Sequence, residues 1–115
     1  MEGFEALQRM YREQLPERCR ALEVEWRAVL GGAPAEGHAQ ALRRVLHNLS
    51  GSGGAYGFEA MGEMARNLEK RWVQWLNLAP DERPDAMQLC VELAPLMRTL
   101  QELMKAASLP LEGES

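Results

Sequence analysis

Segment 58–76 carries the pattern that most restricts what this chain can become. Phe58, Met61, Ala65, Leu68, Trp72 and Trp75 step by three, four, three, four and three. Glu59, Glu63, Arg66, Asn67, Lys70 and Gln74 occupy the opposite side. Such spacing makes one apolar stripe on a 3.6-residue helix, and a stripe of this kind must be buried against other helices. The same signature recurs along the chain. Phe4, Leu7, Tyr11, Leu15, Cys19, Leu22, Trp26 and Val29 form one stripe, expected in the core from Phe4 to Val29. Ala86, Cys90, Leu93, Met97, Leu100 and Met104 form another. There are no internal repeats, low-complexity tracts or strand-like alternations. The fold expected is all-α: an antiparallel four-helix bundle with short connections.

Prolines and glycines punctuate it. Pro16 should kink the long first helix near Arg12 or split it, and Pro95 should kink or break the last helix around Val91, because each removes an N–H and crowds the preceding turn. Gly31-Gly32 ends the first helix, with Ala33-Pro34-Ala35 as a turn. The second helix starts near Ala35. Residues 78–84 make the third connection, with Pro80 or Pro84 suited to the first turn of the final helix and Asp81, Glu82 and Asp85 favourable at its N-terminus. A single domain over 1–108 and a flexible tail over 109–115 are expected.

Composition narrows the function classes. Of 115 residues, 46% are hydrophobic and 26% charged, which is globular rather than disordered. A net charge of −4 argues against nucleic acid, since no basic stripe could neutralise a run of phosphates. No apolar run reaches the roughly 20 residues of a membrane span, and the N-terminus has no secretory h-region. Cys19 and Cys90 are isolated on apolar faces and read as core thiols in a reducing compartment, so the cytoplasm is expected. Met1 and the chain's end favour a free-standing protein, and a monomer is expected. Met10, Met61 and Met64 read as exposed, a pattern that is more often gap-filling than a sticky surface.

The chemistry concentrates in Leu46-His47-Asn48-Leu49-Ser50-Gly51-Ser52-Gly53-Gly54-Ala55-Tyr56-Gly57. On a helical wheel with His47 at zero, Leu42, Val45, Leu46 and Leu49 fall between about 160° and 260°, while Arg43, Arg44, Ser50, Gly51 and Gly54 lie within about 60° of His47. The imidazole then points outward, between two cations, a hydroxyl and two positions without side chains. Three glycines in four positions would forfeit roughly 3 kcal/mol of helix propensity. Residues 50–57 therefore read either as a flexible loop, which composition favours, or as a helix with a bare patch that admits a partner's backbone. Gly57 suits a left-handed stop. His38 projects to about 180° on that wheel, as a capping or core-edge residue, and a His38–His47 metal pair is not expected, since the two lie on opposite faces and no cysteine or carboxylate pair completes a coordination set. No metal site is expected.

The run from His47 to Phe58 resembles the phosphoacceptor segment of histidine phosphotransfer (HPt) domains. His47, Leu49, Gly51, Ser52, Gly53 and Gly57 fall on the family pattern, and Met61, Leu68 and Glu69 continue it. Ser50 stands where the family usually has lysine. The resemblance implies a phosphorelay carrier without turnover of its own. His47 would accept a phosphoryl group from an aspartate on a receiver domain of a response regulator or hybrid histidine kinase and pass it to another. The receiver would bring the Mg²⁺, and no cofactor would reside on this chain. Arg43 and Arg44 could replace the missing lysine's charge. Reflecting the helix hairpin about Tyr56 places His47 opposite Ala65, so Arg66 and Glu69 should come within reach, with Lys70 at the rim. Glu69 reads equally as a hydrogen-bond partner that fixes the imidazole tautomer or as a surface carboxylate. The alternative function is a bundle that docks a receiver or kinase without being phosphorylated.

Overall fold

The structure is a computed structural model, and it describes residues 2–32 and 35–109. Four α-helices follow one another: α1 (Glu2–Leu30), α2 (Ala35–Ala55), α3 (Glu59–Asn77) and α4 (Ala86–Ser108), with a 3₁₀ turn at Pro80–Glu82. There is no strand among the described residues. Each helix packs on the next and α4 returns to α1, closing a four-membered ring of antiparallel neighbours that measures 52 × 21 × 20 Å. The length fits the 29 residues of α1 at about 1.5 Å of rise per residue.

The apolar stripes become the core. Leu15, Leu22, Leu42, Leu46, Leu49, Leu68, Trp72, Leu93, Leu100 and Met104 are fully buried, each worth about 1.5–3 kcal/mol on transfer from water for the aliphatic side chains. Trp72 meets Trp26 and Trp75 edge to face, joining α1 to α3. Cys90 lies in this core, where burial pushes its thiol up to about 12, and Cys19 is half-buried with its thiol also raised, chiefly by desolvation. Both are free thiols kept protonated by their surroundings.

The start of α1 departs from expectation. Phe4 and Leu7 are 40% and 47% exposed rather than part of the core. The α2–α3 turn meets α1 at Gln8, whose Nε2 donates to the Tyr56 carbonyl, and α4 ends beside Leu15 and Cys19. The first two turns of α1 therefore lie beyond those contacts, and a stripe read from sequence cannot show where its partners stop.

Neither internal proline splits its helix: α1 runs unbroken through Pro16 and α4 through Pro95. An internal proline costs about 3 kcal/mol, and the buried residues on both sides of each outweigh that. Pro80 opens the 3₁₀ turn and Pro84 precedes the cap, so neither occupies the first turn of α4. Asp85 is the α4 cap, accepting from the Met87 N–H at 3.0 Å. Arg83 closes the end of α3: it donates to the carbonyls of Trp75, Leu76 and Leu78 and stacks on the Trp75 ring. Gly32 takes a left-handed φ of 78° after α1. The turn read at Ala33-Pro34 and the tail at 110–115 lie outside the described residues, while Leu109 is the exposed residue that caps α4.

Candidate functional site around His47

The second helix continues through the glycines to Ala55, so the loop reading of residues 50–55 gives way to helix. Two of the three glycines in the bare stretch serve different ends from the third. A Cβ at Gly51 or Gly54 would meet nothing within 4 Å, which leaves open space on the outward face. A Cβ at Gly53 would instead come within 3.3 Å of the Gly62 backbone and 3.0 Å of the Met61 side chain. A Cβ at Gly62 would lie 3.1 Å from both the Gly54 nitrogen and the Ser50 carbonyl oxygen. Gly53 and Gly62 therefore allow α2 and α3 to cross with their backbones in near contact. That packing offsets the propensity lost in the helix. Gly62 escaped the sequence reading because a lone glycine in a strong helical pattern carries no label for its partner.

The hairpin ends in a Schellman arrangement. The Phe58 N–H donates to the Gly53 carbonyl at 2.7 Å and the Gly57 N–H to the Gly54 carbonyl at 3.2 Å, with Gly57 at a φ of 89°. Gly57 is thus the left-handed stop that its position suggested. The close crossing and this turn set the register between the two helices.

That register brings Glu69, rather than Ala65, opposite His47. The His47 imidazole is 68% exposed, and its Nδ1 lies 2.9 Å from Glu69 Oε2. An ionised carboxylate only accepts, so Nδ1–H donates and the lone pair of Nε2 is left for chemistry. Glu69 is only 15% exposed, which holds this tautomer in a partly desolvated setting. Arg43 sits one turn before His47, with its Nη1 3.8 Å from the same Glu69 oxygen. Its charge therefore supports Glu69, in a loose, partly exposed pair.

The remaining candidates are spread around this core. Arg44 is exposed on α2, Arg66 and Lys70 are exposed on α3, and none of the three hydrogen-bonds or ion-pairs with His47 or Glu69 among the described residues. The hairpin reflects about Phe58, two residues later than Tyr56, which shifts the facing position toward Glu69. Ser50 is half-buried. His38 is half-exposed at the core edge, with its Nδ1 2.8 Å from Glu25 Oε2. Met61 is buried and Met64 half-buried, and of the three methionines only Met10 is exposed.

What α1 contributes beside His47 left no signal in the sequence. Tyr11 is buried, and its hydroxyl lies 2.7 Å from Ser52 Oγ. The Ser52 hydroxyl donates its single hydrogen to the Asn48 carbonyl at 2.6 Å, so the Tyr11 hydroxyl is the donor in their pair. This latch fixes α1 against the His47 turn. Arg18 lies over the Tyr11 ring, 5.0 Å from its centroid, and lines an open depression of about 390 Å³ with His47, Asn48, Gly51 and Ser52. Contacts separated by 41 residues, as Tyr11 and Ser52 are, leave no periodic trace in a sequence.

An Hpt domain family model matches residues 6–114. No curated protein and no solved structure matches the chain. With an accessible histidine on the second helix of a four-helix bundle and a family match over nearly its whole length, the chain belongs to the Hpt domain family. Hpt domains carry out histidine phosphotransfer in phosphorelays and interact there with receiver domains. No helix among the described residues is long and apolar enough to cross a membrane.

Proposed function

We propose that His47 accepts a phosphoryl group from an aspartyl phosphate of a receiver domain and passes it to a second receiver, in the cytoplasm and as a monomer. The observation that carries this reading is the division of the imidazole: Nδ1–H is engaged by Glu69, while Nε2 stands on an exposed ring beside open backbone. With Nδ1–H donated to Glu69, the ring presents its Nε2 lone pair as the nucleophile.

In the transfer, the Nε2 lone pair forms the bond to phosphorus as the phosphorus–oxygen bond to the receiver aspartate breaks, and that electron pair returns to the carboxylate. Nδ1 keeps its proton, so the ring becomes positively charged as it takes the phosphoryl group. Glu69, hydrogen-bonded to Nδ1–H, offsets that developing charge. The transition state is loose and spreads charge over the phosphoryl oxygens, which makes positioning and nearby cations the main contributions of the protein. Mg²⁺ would come with the receiver. Gly51 and Gly54 leave room for the receiver's loops, while Arg44, Arg66 and Lys70 offer positive charge around the approach.

The reading is tested by incubating the protein with a phosphorylated receiver domain and mapping the label. Acid-labile, base-stable phosphate on His47 is the expected result. Tight receiver binding with no label on His47 would instead identify a docking bundle, the outcome toward which the absent lysine at Ser50 points.

A further inference from the structure

A cation from another helix shares the open depression beside His47. Arg18 lies on α1, and the depression it lines with His47, Asn48, Gly51 and Ser52 does not include Glu69. Its guanidinium is held from beneath by the Tyr11 ring and from the side by Gln14, whose Oε1 accepts from Nη2 at 3.1 Å. Tyr11 is in turn latched to Ser52, five residues beyond His47. The Arg18 Nε is buried without a hydrogen-bond partner, and no carboxylate pairs with this arginine among the described residues. Arg43 differs on this point, because it already faces Glu69.

A guanidinium fixed on an aromatic face, lacking an anion and bordering a cavity beside a nucleophile, is suited to a phosphoryl group. Its planar donors match phosphate oxygens two at a time, and its charge does not vary with pH in the working range. Stacking on the ring reduces the freedom that a long side chain would otherwise lose on binding. Ser50, one turn after His47, supplies a hydroxyl but no charge.

We infer that Arg18 binds the phosphoryl group carried by His47, providing from α1 the positive charge that α2 lacks at Ser50. The inference rests on His47 as the acceptor. During transfer the N–P bond forms at Nε2 and the donor P–O bond breaks as described above. Arg18 donates hydrogen bonds to the phosphoryl oxygens throughout and moves no proton.

The test compares the intact protein with Arg18→Gln and Arg18→Met, the second of which keeps apolar bulk over Tyr11. Rapid-quench transfer from a phosphorylated receiver is measured alongside ³¹P NMR titration of the phosphohistidine, with circular dichroism as the check on folding. Removing one charge-assisted contact should slow transfer roughly 10- to 100-fold. It should also raise the phosphoryl group's titration midpoint, which a purely structural role for Arg18 would not move. Arg43→Ala with Arg44→Ala should slow transfer less. If one Arg18 variant does not fold, the other carries the comparison. A folded variant with the original rate and an unmoved ³¹P titration overturns the role of Arg18 while leaving His47 phosphorylation intact. A parent protein that takes no label on His47 overturns both.

Discussion

The second half of α2 has two faces made from the same kind of residue, and they do opposite things. On the inner face Gly53 brings the backbone against Gly62 of α3, where a side chain would collide. On the outer face Gly51 and Gly54 border empty space beside an exposed imidazole. Glycine inside is a packing device that fixes the hairpin register and hence the pairing of His47 with Glu69. Glycine outside does nothing for the fold, and its helix-propensity penalty makes sense only if something approaches. The contrast separates residues that build the site from residues that leave it open.

The largest effect expected on the outer face is from His47→Gln, which should abolish labelling by a phosphorylated receiver. Because the ring is mostly exposed, melting should change by no more than about 0.5 kcal/mol. Residual label on the variant, located by peptide mapping, would move the acceptor elsewhere.

On the inner face, Gly53→Val should destabilise by about 2–3 kcal/mol through overpacking against Gly62, lowering the melting midpoint by roughly 10–15 °C. An unchanged melting curve would mean that the two backbones do not meet there.

Glu69→Gln tests the link between the faces. It keeps the size of the side chain but removes the charge that stabilises the phosphorylated ring, so transfer should slow roughly tenfold or more with little change in melting. An undiminished rate would reduce Glu69 to an ordinary surface carboxylate.

The smallest effect belongs to Gly51→Ala. With nothing within 4 Å of the new methyl, the helix should gain up to about 1 kcal/mol, read as a higher melting midpoint, while the methyl on the approach face should slow transfer about two- to threefold. A loss of stability there would erase the distinction from Gly53.

Much of the fold was legible because helix burial is periodic. The α3 and α4 stripes named from spacing are buried, apart from Phe58, which caps α3 and packs half-buried against the core. Periodicity failed where helices have unequal lengths, as at Phe4 and Leu7, and it could not decide whether the prolines would split α1 and α4. At the site, His47 stood out because an outward histidine beside glycines is unusual locally. Glu69 could be approached by reflecting one helix onto the next, with an error of about a turn.

The sequence alone determined four amphipathic helices, the exposed placement of His47 and the left-handed turn at Gly57, because each depends on side-chain periodicity or on the backbone freedom of a few neighbouring residues. Only the tertiary structure decided that Gly53 meets Gly62, that Glu69 takes Nδ1 and that Arg18, lying over Tyr11, borders the depression beside His47. Those three depend on the register and rotation of helices packed against one another, and dozens of dispersed contacts set that register together.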